Sequence, residues 1–200
     1  MVWGQSMTKN AKQDLPVVPF ESQKDWEAWL EEHHDTSVGL WLKISKKDSG
    51  IDSVSYPEAL DVAIIYGWID SQKASFDDKF WLQRFTPRRP KSKWSKVNRK
   101  KATELIEQGK MKTAGLKEVE TARQDGRWDQ AYDSQSNATV PDDFRQELDR
   151  NPGAQEFFAT LNSANRYAIL YQIQDAKKSE TRARRIEKYV AMLNEQKKFY

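Results

Sequence analysis

The sequence predicts an α+β fold, with a small antiparallel sheet packed with helices and then a C-terminal helical subdomain. The strand signals, which are short runs ended by turn residues, all precede Pro87, whereas the chain after Pro141 is helical throughout. We therefore expect three segments. Residues 1–15 form a disordered N-terminal tail, residues 16–135 a mixed α+β domain with a basic, Trp-containing loop, and residues 141–200 the helical subdomain.

The mixed domain opens with an extended segment and contains two early helices. Pro16 and Pro19 favour extended backbone at the entry to the domain. Ser22 is a suitable N-cap, and tryptophan and leucine residues follow it at helical spacing. A second helix starts at Pro57, where the missing N–H costs nothing, and stops at Gly67. Because this second helix is apolar on most sides, we expect it to be central.

Three strands are predicted between and after these helices. Residues 38–44 alternate in part, with two leucines on one side of the strand and Trp41 and Lys43 on the other. Residues 68–75 and 79–86 form two strands joined by a turn at Phe76, Asp77 and Asp78. This pairing predicts a hairpin that ends at the prolines following it, since proline cannot donate to a sheet ladder.

Helices make up the rest of the chain. Ser95 is a suitable N-cap for a helix that runs to residue 108, and Thr113 for one that runs to residue 125, each followed by a glycine. Residues 133–140 are a polar linker of low complexity. Four further helices follow Pro141, separated by short polar breaks.

Composition excludes several classes of protein. The chain has no cysteine, so disulfides, a thiolate nucleophile and a cysteine-based zinc site are excluded. Its two histidines, His33 and His34, are adjacent and would point to different sides of a helix, so neither a metal site nor a cofactor is predicted. No apolar run approaches the roughly 18 residues that span a bilayer, and residues 1–14 lack a signal-peptide stretch. We expect a soluble, cytoplasmic protein without a membrane span.

Positive charge is concentrated in one short block. Residues 84–101 contain nine Lys or Arg and no Asp or Glu, whereas the whole chain has 33 basic and 30 acidic residues. Without this block, 24 basic residues face 30 acidic ones. Trp81, Phe85 and Trp94 lie in or beside the block. Such a cluster raises the local potential and attracts anions, so the sequence predicts a charge class of ligand without naming the ligand.

Several stretches of the sequence together resemble a known family. They are Gly67-Trp68-Ile69-Asp70-Ser71, Phe85-Thr86-Pro87-Arg88-Arg89-Pro90-Lys91-Ser92-Lys93-Trp94-Ser95, Asn98, Gly109-Lys110-Met111, Asp125-Gly126-Arg127-Trp128, Ala176-Lys177, Glu180-Thr181-Arg182 and Arg184-Arg185-Ile186. The chain resembles the YdeI/OmpD-associated family, also labelled bacteriocin-protection proteins, over nearly all of its length after the tail. The resemblance implies a bacterial-type protein linked to envelope stress or resistance to antibacterial peptides, and it carries over no catalytic residues.

The basic block and its neighbours supply the candidate site. Arginine grips phosphate or carboxylate with two bonds, a tryptophan stacks on a base or sugar, and a helix N-terminus holds a phosphate. The candidate ligand-binding residues are Trp68, Asp70, Arg84, Arg88, Arg89, Lys91, Lys93, Trp94, Ser95 and Asn98. The alternative is ordinary structure, in which the basic loop is a solvated surface and the rings belong to the core.

Two further residues have competing interpretations. Asn98 falls on the apolar side of its helix, where it either contacts the ligand or bonds local backbone. Arg182 falls within the apolar stripe of the last helix, where it either contributes to the anion site or clamps a carboxylate of a neighbouring helix.

Three functions remain open from the sequence. The first is a binding protein whose loop, residues 84–101, grips a phosphate-bearing or polyanionic ligand such as a nucleotide or nucleic acid. The second is an enzyme acting on a small anionic substrate, with Asp70 as acid or base and Arg88 and Arg89 as charge stabilisers. Asp70 is alternatively a counter-ion for a nearby arginine. The third is a stress-response scaffold that binds a protein partner through its C-terminal helices.

Overall fold

The computed structural model describes residues 15–200. The predicted disordered segment therefore lies outside the described residues, except for Leu15, whose side chain is buried. The chain divides into two compact units. The first comprises the described residues up to Ser92 together with Lys101–Thr121, and the second comprises Lys93–Lys100 together with Ala122–Tyr200.

Four strands and eight helices follow one another along residues 15–200. In chain order they are β1 (Val17–Pro19), α1 (Gln23–His33), β2 (Leu40–Ser45), α2 (Tyr56–Ile65), β3 (Trp68–Ser75), β4 (Phe80–Pro87), α3 (Lys96–Glu107), α4 (Thr113–Gln124), α5 (Asp142–Asp149), α6 (Pro152–Thr160), α7 (Ser163–Gln174) and α8 (Ser179–Asn194). The predicted α+β class is confirmed. No helix in this part of the chain is long and apolar enough to cross a membrane.

The four strands form one sheet in the order β1-β2-β4-β3. The hairpin β3–β4 and the pair β2–β4 are antiparallel, as predicted, but β1 runs parallel to β2. The sheet is therefore mixed rather than wholly antiparallel. The difference arises because the chain leaves β1 through helix α1 before it forms β2, and such a helical crossover brings the second strand back parallel to the first.

One face of the sheet is buried under the helices of the first unit. Trp26 of α1 packs its ring 5.7 Å from the ring of Phe85 and 6.1 Å from that of Trp68, and its indole N–H donates to the carbonyl of Ala59 in α2. Leu40 of β2 lies opposite Phe85, and both are fully buried. Large rings bury much apolar area per residue, so this face compensates for a low apolar content.

The opposite face of the sheet has a different composition. Alternation turns Trp41 and Lys43 away from the buried leucines of β2. Arg84 lies directly opposite Trp41, and Phe80 lies opposite Ser45, so these residues share the same side. We call this side the second sheet face, defined by Trp41, Lys43, Phe80 and Arg84. Their side chains are half-buried rather than buried.

Helix α2 is central to the first unit, as the sequence predicts. Its N-terminus is fixed by a capping box. The backbone N–H of Ser55 donates to the Glu58 carboxylate, and the Ser55 side chain accepts in return from the backbone N–H of Glu58. Its C-terminal turn packs closely against α4. A Cβ added to Gly115 of α4 would lie 2.3 Å from the carbonyl oxygen of Ile65 and 2.7 Å from that of Ile64. Only glycine allows the two helices to approach this closely.

The second unit has its own core. Helices α5 to α8 contribute one cluster of buried residues: Phe144, Leu148, Ala154, Phe158, Leu161, Ile169, Leu170, Ile173, Ile186, Tyr189, Val190 and Leu193. Residues 93–100 belong to this unit through a parallel bridge between Ser95 and Tyr132 and through two backbone hydrogen bonds with Tyr132. The side chain of Lys96 also binds Asp133 at 2.8 Å.

The close approach at Gly115 predicts a large effect of a small substitution. Gly115→Ala forces a methyl group against the Ile65 carbonyl, and we expect it to lower the free energy of unfolding by roughly 1–3 kcal/mol. The matched control is Gly153→Ala in α6, where the nearest atom would be Asn194 Oδ1 at 3.4 Å. This control should stabilise slightly, because alanine has the higher helix propensity. Urea denaturation of both variants tests the expectation, and equal stabilities would contradict it.

Candidate functional site

A cleft of about 690 Å³ lies in the first unit. It is formed by Trp41 and Arg84 of the second sheet face, by Gln72 of β3, by the end of β4 and by the loop after it. We call it the arginine cleft, and its lining residues are Leu15, Val38, Trp41, Gln72, Arg84, Thr86, Pro87, Arg88, Arg89 and Pro90. Of the part of the chain that the structure describes, three arginines and no acidic residue line it. Its volume is within the range of small-molecule sites, and its charge favours an anion.

Strand pairing positions Arg84 in the cleft. The residue lies on β4 directly across from Trp41 of β2, so the guanidinium and the indole share one side of the sheet. Arg84 Nη1 donates to Gln72 Oε1 at a long 3.4 Å. The Nε–H of Arg84 is buried without a hydrogen bond to any residue of the described chain. Much of its donor capacity is therefore not used within the first unit.

A short turn after β4 positions the other two arginines. Arg88 is 7 % exposed, and its backbone N–H donates to the carbonyl of Gly67. Arg89 is exposed, and its backbone N–H donates to Ser92 Oγ at 2.9 Å. The backbone N–H of Ser92 donates in turn to the Arg89 carbonyl. The flanking prolines restrict this turn further. Such a stiffened loop loses less entropy when it binds a ligand.

Trp41 is a candidate that the sequence prediction did not include. The prediction paired the arginines with Trp68 and Trp94, but Trp41 is the tryptophan that lines the cleft with Arg84. The signal was present in the sequence, because the alternation of residues 38–44 already turns Trp41 away from the leucines. The missing step was the register that sets it opposite Arg84.

Trp68 and Asp70 lie on the other side of the sheet from the second sheet face. Trp68 is fully buried, and its indole N–H donates to the carbonyl of His34 at 3.0 Å. Asp70 lies opposite the buried Phe85, and its Oδ2 accepts a hydrogen bond from Tyr56 Oη at 2.9 Å. Neither residue lines the arginine cleft. This position gives Asp70 a structural partner on α2 and separates it from the cavity.

The later lysines of the basic block are bound to acids of their own unit. In the second unit, Lys93 binds Asp175 at 2.5 Å and Lys96 binds Asp133 at 2.8 Å. In the first unit, Lys101 binds Asp61 of α2. Desolvation lowers the pKa of Lys93, but hydrogen bonds from its ammonium to Asp175 and Tyr171 outweigh this effect and raise the pKa. The basic block is therefore not a single surface.

The remaining predicted residues of the block also have local roles. Trp94 is 1 % exposed, and its ring makes an edge-on contact with that of Trp128 at 5.0 Å. Ser95 Oγ accepts a hydrogen bond from the backbone N–H of Asn98, so Ser95 caps α3 as predicted. Asn98 is buried, at 8 % exposure, and Lys91 is exposed. These positions favour the structural interpretation for Trp94.

Arg182 clamps a carboxylate of a neighbouring helix, which was the structural interpretation of this residue. Its Nε and Nη2 bind the two carboxylate oxygens of Asp143 on α5 at 2.5 and 2.8 Å, and its Nη1 donates to the carbonyl of Ile173 at 2.9 Å. These hydrogen bonds hold the pKa of the Asp143 carboxyl below its usual value. Arg182 thereby joins α8 to α5 and to the end of α7.

Two family models match different parts of the chain. Residues 18–118 match the family described as a domain of unknown function, DUF8412, and the chain belongs to this family. Residues 137–196 match the family described as bacteriocin-protection, YdeI or OmpD-associated. The resemblance to the YdeI/OmpD-associated family is confirmed for residues 137–196. It does not extend over nearly the whole chain, because the resembling stretches between residues 67 and 98 fall in the first match. No curated protein and no solved structure matches the chain.

No metal centre is suggested by the acidic and histidine side chains of residues 15–200. No group of three or more of them is placed to hold an ion. The arginine cleft, whose described lining holds three arginines and no carboxylate, has the opposite charge from a cation site. Its lining sets hydrogen-bond donors beside an aromatic ring, an arrangement that suits an anion better than a cation.

The Arg182 clamp predicts a pH-dependent contribution to stability. Because the folded-state pKa of Asp143 is depressed, this contribution is present above the unfolded carboxyl pKa of about 4 and is lost as the pH falls through the folded value. We expect Arg182→Gln to lower the free energy of unfolding by about 1 kcal/mol at pH 7, since the pair is partly exposed. The difference from the unmodified chain should shrink as the pH falls below about 4.

Urea unfolding at pH 7 and pH 3 measures this difference. Arg166→Gln, at an exposed position on α7, is the matched control and should show no such difference at either pH. A destabilisation by Arg182→Gln that is equally large at both pH values would show that the Asp143 carboxylate is not its source.

Proposed function

We propose that this protein binds a phosphate-bearing ligand with an aromatic or sugar ring in the arginine cleft. The observation that supports it best is the lining itself, in which, among residues 15–200, Arg84, Arg88 and Arg89 meet one tryptophan and no acid. Guanidinium groups grip phosphate oxygens in pairs, and the ring of Trp41 offers a stacking surface for a base. A mononucleotide has both of these chemical features.

The electrostatics of the cleft support an anion over a neutral ligand. Neither Arg84 nor Arg89 has an ion-pair partner among residues 15–200, in contrast to Lys93, Lys96 and Lys101. Positive charges that face one cavity repel each other, and a bound phosphate relieves this repulsion. The later half of the basic block therefore contributes to the fold, and the first half is the part we assign to the ligand.

Binding is better supported than catalysis. The enzyme hypothesis requires Asp70 and the arginines to face one pocket. Asp70 instead lies on the helix-covered side of the sheet, where it is bonded to Tyr56, and it does not line the cleft. We therefore assign Asp70 to the support of the hairpin through its hydrogen bond with Tyr56, rather than to proton transfer.

The family name adds a biological setting to this chemistry. Residues 137–196 match a family described by bacteriocin protection, so we infer that the protein acts in resistance to antibacterial peptides or in a related stress response. In this proposal, ligand binding is the task of the first unit. The second unit would provide the part of the function that it shares with that family, including contact with a protein partner.

Removal of a single cleft arginine should weaken binding. We expect Arg89→Gln and Arg84→Gln each to weaken the affinity for a mononucleotide about tenfold or more, because each deletes a charge-assisted contact. Arg89 gives the cleaner test because it is exposed, and Arg166→Gln on α7 is the matched control. Isothermal titration with AMP at low salt measures the effect. Equal affinities of the unmodified chain and Arg89→Gln would contradict the proposed site.

The contribution of the ring can be separated from that of the phosphate. Trp41→Leu should weaken AMP binding by about tenfold, the effect of one lost stacking contact, and should leave the affinity for pyrophosphate unchanged. The paired titrations distinguish stacking from damage to the cleft. If both affinities fall together, Trp41 supports the cleft structurally and does not contact the ligand.

A further inference from the structure

The second sheet face continues beyond the arginine cleft toward the turn of the hairpin. Lys43 follows Trp41 on the same side of β2, and its ammonium lies 4.0 Å from the ring centre of Phe80 and 4.5 Å from that of Phe76. Phe76 is 47 % exposed, so part of its ring is accessible to a ligand. At this end of the face, the ammonium of Lys43 therefore lies beside exposed aromatic surface.

Strand geometry fixes the separation of the two ends. Trp41 pairs with Arg84 in the register of β2 and β4, whereas Phe80 lies four residues away along β4. At about 3.3 Å per residue, the two ring positions are roughly 13 Å apart along the strands. One base and its phosphate cannot contact both. A ligand that uses the whole face needs at least two ring-bearing units joined by anionic groups.

The charge at the hairpin end is also positive. Lys46, Lys47 and Lys73 line a recess of about 570 Å³ with Trp81, and no acid among residues 15–200 is in its lining. Trp81 lies opposite Ile44, on the other side of the sheet from Lys43, so this recess adds positive charge near the hairpin end but is not part of the second sheet face. The turn beside the recess contains two acids, Asp77 and the exposed Asp78. Asp77 Oδ1 accepts the backbone N–H groups of Lys79 and Phe80. Asp77 is thus directed toward the turn backbone, although its charge offsets part of that of Lys43 and Lys46.

We propose that the ligand of this face is single-stranded nucleic acid. One nucleotide occupies the arginine cleft, and the strand continues along β2 and β4, with a phosphate at Lys43 and a base on the ring of Phe76. Aromatic rings stack on the exposed bases of a single strand and cannot reach the paired bases of a duplex. This inference rests on the proposed function of the cleft and extends it from a mononucleotide to a polymer.

Length dependence of binding tests the inference with the full chain. The probes are thymidine monophosphate and single-stranded oligodeoxythymidylates of two to eight nucleotides, used as unlabelled competitors of a labelled eight-mer in fluorescence anisotropy. We expect the four-mer to bind about tenfold tighter than the mononucleotide or more, from at least one added stacked base. A duplex of the same length should compete more weakly than the single strand.

Variants at the hairpin end separate this inference from the proposed function. Phe76→Ser and Lys43→Gln should each remove most of the advantage of the four-mer and leave thymidine monophosphate affinity unchanged. Lys43→Gln should also lower the salt dependence of four-mer binding by about one counterion. The controls are Tyr200→Ser, which alters a ring that is 81 % exposed at the C-terminus, and Lys198→Gln. Both controls should behave like the unmodified chain.

The outcomes are distinct. Equal affinities for the mononucleotide and the four-mer would overturn the inference and leave the cleft proposal standing, whereas no binding of either would remove both. A length advantage that persists in Phe76→Ser and Lys43→Gln would also overturn it, since the strand would then follow another path. So would preferential binding to vesicles of anionic phospholipid, because the exposed ring and lysines would then belong to a membrane-surface site.

Discussion

The pairing register of β2 with β4 is the constraint on which the rest of the first unit depends. It sets Leu40 opposite Phe85 on the buried face and Trp41 opposite Arg84 on the other. Because side chains alternate along a strand, a slip of one residue would exchange the two faces and bury a guanidinium against Trp26. The ring cluster of the core excludes that slip, and the same packing that stabilises the sheet therefore creates the cleft.

Some cations of the basic block form ion pairs within residues 15–200 and others do not, and the sequence does not show which. Within the block of residues 84–101, Lys93 and Lys96 bind acids of the second unit, and Lys101 binds an acid of the first. Exposed ion pairs of this kind contribute little to stability. Their effect here is to reduce the positive potential of the later half of the block, so that the excess remains where Arg84 and Arg89 lie.

The sequence predicted most of the fold because its signals were local. The hairpin, the cap at Ser95 and the central position of α2 each depend on neighbouring residues and were confirmed. The parallel pairing of β1 was missed because a strand of three residues, the last of them Pro19, gives no alternation to interpret. Trp94 was assigned to the ligand because its neighbours in sequence are basic. Its ring is instead buried against Trp128, which lies far along the chain, and such a contact has no local signal.

The two family matches bear on where the function lies. The match at residues 18–118 covers the strands and the arginines of the cleft, and the match at residues 137–196 covers helices α5 to α8 of the second unit. The core of those helices and the Arg182 clamp serve stability, and the arginines of the proposed anion site lie in the other match. The description of bacteriocin protection therefore belongs to a part of the chain that does not contain the cleft. The identity of the proposed ligand must therefore be inferred from the chemistry of the first unit, where Trp41 and the three arginines determine which ligands fit. The name of the second family does not identify that ligand.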